Sequence, residues 1–168
     1  MEYREDTLRV PAKQPAGERQ VVTRLLAKDA GFEHLNMELR ALNRGERWSR
    51  ETGEFEAGLI ILGGRCRVHS DKGNWSDIGG RADVFQGLPH ALFLPRRTRF
   101  ELEALTDDFE VAHCWVPTDA DAEARWVRPD DCAVELRGGY QSSRQITSII
   151  PPGFGSQRLV CVEVYTPG

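Results

Sequence analysis

Short runs that alternate apolar with polar residues, cut by glycine and proline turns, recur along almost the whole of this chain. Leu35–Leu42 places Leu35, Met37, Leu39 and Ala41 on one side and Asn36, Glu38 and Arg40 on the other. Phe100–Ala104 and Phe109–Val116 alternate likewise, Val134–Leu136 is a shorter version, and Leu159–Tyr165 is strongly β-branched. A period of two predicts half-buried strands. Glu54–Leu62 starts alternating and then turns continuously apolar, which predicts a strand covered on both faces.

Asn43-Arg44-Gly45, Gly63-Gly64, Asp71-Lys72-Gly73, Gly79-Gly80, Gly138-Gly139 and Pro151-Pro152-Gly153 punctuate these runs. Only Asp119–Arg125 reads as helical, for a turn or two. Many short strands between such turns specify an all-β sandwich or barrel. The 168 residues suit one domain, with no repeat or low-complexity stretch inside it. Residues 1–20 read as an arm, poorly ordered or draped over a sheet.

A net charge of −4 without long like-charge blocks argues against nucleic-acid or anionic-membrane partners. No apolar run is long enough for a membrane helix, and the charged start MEYREDTLRV has no signal-peptide core, so the expected location is the cytoplasm. Cys66, Cys114, Cys132 and Cys161 form no CxxC pair and read as buried free thiols.

Candidate chemistry is sparse. His34, His69, His90 and His113 are isolated. His113 shares parity with Phe109, Val111 and Trp115, so it points inward as a core histidine whose polar atoms are satisfied; His90 reads as a loop histidine bonded to backbone. Arg81 and Arg144 each follow a turn and precede a strand. Either arginine would grip a substrate carboxylate bidentately or pair with an acidic neighbour, and both readings stay open.

The chain also resembles a cupin, a small jelly-roll barrel, stripped of its metal ligands. Gly45 opens the frame of the first cupin motif, and Glu56, six residues and Gly63 close it, but no histidine lies between Gly45 and Glu56. In the second motif Pro95 remains, Arg97 stands where glycine is usual, and Phe100 stands where the last ligand histidine would fall. Glu56 reads as solvated or paired with an arginine. A metal site rebuilt from His90, His113 and Glu56 is the competing arrangement.

Three segments carry a more specific resemblance: Asn74–Pro95 (NWSDIGGRADVFQGLPHALFLP), Glu135–Pro152 (ELRGGYQSSRQITSIIPP) and Arg158–Gly168 (RLVCVEVYTPG). Together, and in this order, they resemble the 5-deoxy-glucuronate isomerase family. The resemblance implies a bicupin that carries out an aldose–ketose isomerisation of a sugar acid in myo-inositol catabolism. It implies a divalent metal (Zn, Mn or Fe) in the C-terminal cupin, and a homo-oligomer. By that resemblance the chain is expected to correspond to the N-terminal half alone. Residues 1–168 are then one degenerate cupin without a metal of its own, and residues 138–168 lead toward a second cupin. The alternative is a non-catalytic sugar-acid-binding or oligomerisation module.

Overall fold

The computed structural model describes residues 15–166. Thirteen strands and one short helix, α1 (Ala27–Ala30), make up its main elements. The strands are β1 (Val21–Leu25), β2 (Asn36–Leu42), β3 (Arg47–Glu51), β4 (Phe55–Gly63), β5 (Arg65–Ser70), β6 (Gly73–Gly79), β7 (His90–Leu94), β8 (Arg99–Ala104), β9 (Phe109–Pro117), β10 (Arg125–Val127), β11 (Ala133–Arg137), β12 (Arg144–Ile150) and β13 (Cys161–Tyr165).

Strands β2 to β9 form one long hairpin rolled up on itself. β5 pairs with β6, β4 with β7, β3 with β8 and β2 with β9, all antiparallel. Rolling adds the pairs β4 with β9 and β5 with β8. Two facing sheets result, in the orders β1-β2-β9-β4-β7-β10 and β3-β8-β5-β6. This is jelly-roll connectivity, the all-β cupin-type barrel expected from the turn spacing. Glycine is needed where β4 passes into β5. Gly64 has φ 78°, and a Cβ there would lie 2.5 Å from Thr106 Oγ1 and 3.1 Å from Phe109 Cα.

Strand β4 explains its own continuous apolar run. Leu59 and Ile61 point into the barrel with Leu42, Val68, Leu92, Leu102 and Phe109. Ile60 points the other way, into a second core with Phe93, Val116, Ile149, Ile150 and Leu159. Each fully buried residue of this size contributes about 1.5–3 kcal/mol. The second core is roofed by a separate sheet, ordered β11-β12-β13. A Cβ on Gly58 would come within 3.3 Å of Leu159 and 3.4 Å of Ile150, so the two layers are in close contact there.

Two expectations need correction. Asp119–Arg125 forms no helix: residues 119–124 are irregular, and Arg125 opens β10 on the edge of the six-stranded sheet. Side-chain ties hold the segment extended instead, through Asp119 N–H to Gln157 Oε1 at 3.1 Å and Arg96 to Asp121 at 2.7 Å. The half-buried strand β2 turns its polar face, rather than its apolar one, into the barrel. Glu38 is fully buried and Arg40 is buried beside it, while Leu39 packs partly buried against the second core. Most of the arm, residues 1–14, lies outside the described residues; residues 15–20 turn into β1, where Val21 is buried. Among the described residues no helix is long and apolar enough to cross a membrane.

Candidate functional site in the barrel lumen

The inward positions of β1, β2, β9 and β3 bring together the chemistry of this barrel. Register places Arg24 opposite Glu38 and Glu38 opposite His113, so their side chains share one face. Trp48 and Arg50 approach from β3 of the opposing sheet. Glu38 accepts from Arg24 Nε at 2.8 Å, from Arg40 Nη2 at 3.2 Å and from Arg50 Nη1 at 3.0 Å. The guanidinium of Arg40 lies 4.3 Å over Trp48, and that of Arg50 lies 4.5 Å over Trp115. His113 stacks on Trp115 with ring centroids 4.4 Å apart. Its Nδ1 is buried, 3.6 Å from Glu38 Oε1, and has no hydrogen-bond partner.

These contacts set the charges. Burial pushes the Glu38 carboxyl up, but the facing His113 and the guanidiniums of Arg24 and Arg40 outweigh it and hold the group at about 2. Burial, helped by Arg50 and Arg40 and opposed by Glu38, pushes His113 down to about 4. At neutral pH the lumen therefore holds an ionised Glu38 and an uncharged His113. Burial and the neighbouring Arg40 and Arg24 push the Arg50 guanidinium down, against the pull of Glu38.

A divalent cation needs converging imidazoles and carboxylates with positions left open for substrate. Here Glu38 already serves three guanidiniums, and an added cation would face all three. The donor set does not fit a divalent metal. Among the described residues no group of three or more His, Cys, Asp or Glu side chains converges into a metal site. The two eroded motif positions keep the geometry of the cupin frame with other side chains. Arg97 has φ 58°, the left-handed region that favours glycine. Phe100 points into the lumen, edge-on to Trp48 at 5.2 Å.

The rebuilt site of His90, His113 and Glu56 is not assembled. Glu56 is buried, not solvated, and lies on the opposite side of β4 from the lumen. There its carboxylate accepts the backbone N–H groups of Gln157 at 2.9 Å, Arg158 at 2.6 Å and Leu159 at 2.6 Å. His90 Nδ1 accepts from the Trp126 indole at 3.3 Å rather than bonding to backbone. His113 is in the core as its parity demanded, but its Nδ1 is not satisfied.

Arg81 does grip a carboxylate bidentately, and that carboxylate is the chain's own Glu163, at 2.8 and 3.0 Å. It also donates to the carbonyl of Ile61, and the Tyr165 hydroxyl bonds Glu163 at 2.7 Å. The pair ties β13 to the barrel. Arg144 is exposed at the start of β12, on the opposite face of the small sheet, and donates to Ser142 O at 3.2 Å. The structure does not bring the two arginines together. Periodicity missed the lumen cluster because Glu38, Arg40 and Arg50 look like a solvated stripe. The one signal was the matching inward parity of His113 and Trp115. The cysteines are all free, as expected, but only Cys66 is buried, Cys114, Cys132 and Cys161 being partly covered; burial raises the thiols of Cys66 and Cys161 to about 12.

The chain matches the KduI/IolB family over residues 8–168. It is 35% identical over 147 residues to the 5-deoxy-glucuronate isomerase of Geobacillus thermodenitrificans, covering 87% of this chain and 53% of that protein. It is 34% identical over 159 residues to the 5-deoxy-glucuronate isomerase of Geobacillus kaustophilus, covering 94% and 57%. An IolB-like protein of Salmonella typhimurium, solved by crystallography, superposes with a TM-score of 0.84 at 27% identity over 90% of this chain and 57% of that one. The chain thus spans about half the length of the curated relatives it matches. Motif segments, jelly-roll barrel and these similarities agree, and the chain belongs to the KduI/IolB family.

Proposed function

We propose that this chain is the metal-free cupin of a 5-deoxy-glucuronate isomerase. It would act together with a metal-bearing cupin that interconverts the aldose and ketose forms of a sugar acid. The observation that carries this reading is the lumen itself. Where a catalytic cupin gathers imidazoles around an ion, this one gathers Arg24, Arg40 and Arg50 around Glu38. A divalent metal (Zn, Mn or Fe) held by the other cupin would polarise the two substrate oxygens during isomerisation. The part of this chain would be architectural: to present β13 and the small sheet to the catalytic half.

The outer face of that sheet supports assembly. Val162 and Val164 are 48% and 45% exposed there, and β11 is an edge strand with all five residues exposed. A homo-oligomer in the cytoplasm is the assembly we favour.

The test is an isomerase assay with 5-deoxy-glucuronate, supplied with Zn, Mn or Fe. The chain alone should show no turnover, and co-expression with the C-terminal part of the Geobacillus thermodenitrificans relative should restore it. Turnover by the chain alone would overturn the proposal.

A further inference from the structure

The seam between β1–β2 and β3 holds more hydrogen-bond donors than acceptors. A carboxylate offers about four lone-pair sites. Those of Glu38 are taken by Arg24 Nε at 2.8 Å and Nη2 at 2.6 Å, by Arg40 Nε at 3.3 Å and Nη2 at 3.2 Å, and by Arg50 Nη1 at 3.0 Å. This crowding explains why the buried His113 Nδ1 stays at 3.6 Å without a partner. Glu18 is the second acid at the seam, and it is occupied by Arg24 at 2.8 and 2.5 Å. Three guanidiniums therefore face two carboxylates, and one positive charge is left over.

The surplus resides on Arg50. Arg24 is committed to two acids and Arg40 is buried. Arg50 gives only Nη1 to the protein, and among the described residues Nε and Nη2 have no partner. Those two N–H groups lie on one edge of the guanidinium plane, the edge that matches the two oxygens of a carboxylate. Stacking on Trp115 at 4.5 Å holds the plane, and the side chain is 33% exposed. Trp115 and Trp48 are already covered by arginine and histidine, so the seam offers no free stacking platform for an aromatic ring.

We propose that the free edge of Arg50 at the seam between β2 and β3 is a binding site for a small carboxylate. One surplus charge and two parallel donors fit a monovalent, two-oxygen anion better than phosphate or a spherical halide. The head group can come from a free short-chain acid or from the carboxyl end of a sugar acid. This site does not depend on the isomerase reading, since its readout involves no turnover.

The experiment titrates the purified chain with sodium acetate and sodium glucuronate. Sodium chloride at matched ionic strength and glucose serve as controls. Fluorescence of the four tryptophans, Trp115 among them, reports binding, and the melting temperature reports independently. Both carboxylates should give a saturable response, and glucose and chloride none. Tighter binding of glucuronate assigns the site to sugar acids; equal binding assigns it to carboxylates in general. Arg50→Lys keeps the charge but loses the edge and should weaken binding roughly tenfold. Arg50→Gln should do the same if the lysine variant fails to fold, and Arg67→Lys, exposed on β5, should bind as the parent does. The proposal is overturned if the folded parent gives no saturable response, if chloride reproduces it, or if the folded Arg50 variants bind unchanged.

Discussion

Arg50 on β3 reaches across the seam of the barrel to Glu38 on β2, Nη1 to Oε1 at 3.0 Å, and so stitches the edge strand of one sheet to the second strand of the other, with no backbone ladder between them. Glu46 adds a second stitch on the same side, accepting from Arg19 at 2.6 Å. The exposed stitch is worth little, whereas the buried one holds the lumen together.

Removing the carboxylate should therefore be costly. Glu38→Ala leaves three guanidiniums without their shared counter-charge, one of them buried. We expect a loss of about 3–5 kcal/mol, read as a lower urea midpoint. A change below 1 kcal/mol would show that the arginines find water or other acids instead.

Acid should loosen the barrel in two stages. Glu38 is held at about 2 against 4.5 for the free group, so its contribution is present above pH 4.5 and disappears as pH falls toward 2. Its size is about 3 kcal/mol. His113 is held at about 4 against 6.5, so it must charge on unfolding, and stability falls between pH 6.5 and 4 as well. Urea midpoints measured from pH 7 to pH 3 should fall throughout, and His113→Gln should flatten the segment above pH 4. An unchanged slope in that variant would place the acid sensitivity elsewhere.

Glu56→Ala should free the return loop rather than the barrel. Three backbone N–H groups lose their acceptor. The expected cost is about 3 kcal/mol, since two of those residues are exposed and regain water. Hydrogen exchange of the amides of Gln157, Arg158 and Leu159 should accelerate while amides of β4 and β9 keep their protection. Uniform acceleration would mean that the clamp supports the whole fold.

Arg81→Met should destabilise by about 3–5 kcal/mol by leaving Glu163 without a counter-charge at a largely buried position, with the Tyr165 hydroxyl still bonded to it. The double variant Arg81→Met with Glu163→Met should recover much of that loss, because the pair is worth less than the penalty for breaking it. If the double variant is as unstable as the single one, the remaining bonds from Arg81 to the backbone carry the effect.

Legibility in the sequence followed the apolar residues. β4 and β9 announce themselves because one face of each fills the lumen and the other fills the second core. Strands β3 and β5, RWSRE and RCRVHS, carry few apolar residues, since their outward faces are charged and in water. Periodicity could not find them, nor β1, β6 and β10, whereas β12 begins at Arg144, where a strand was expected. The candidate site was hidden for a different reason. Alternation shows that a strand has two faces but not which of them is inside. In β2 the face with Leu39 meets a second core, and the charged face is admitted to the lumen because β1, β3 and β9 supply partners for every charge except one. No local pattern announces partners that lie 12 and 75 positions away along the chain, as Arg50 and His113 do from Glu38. Arg81 was legible as a carboxylate clamp, but its ligand was the chain's own Glu163.

The clamp on Glu56 has a consequence for synthesis. A chain emerging from the ribosome completes all eight strands of the roll once Pro117 is out. The carboxylate on β4 must then wait for the amides of residues 157–159. During that interval Ile60 and Phe93 have no roof, and a buried acid has no donors. The nascent barrel is therefore sticky on one face until the small sheet arrives, and a pause or stop in that stretch yields a folded lumen that aggregates through its unfinished back.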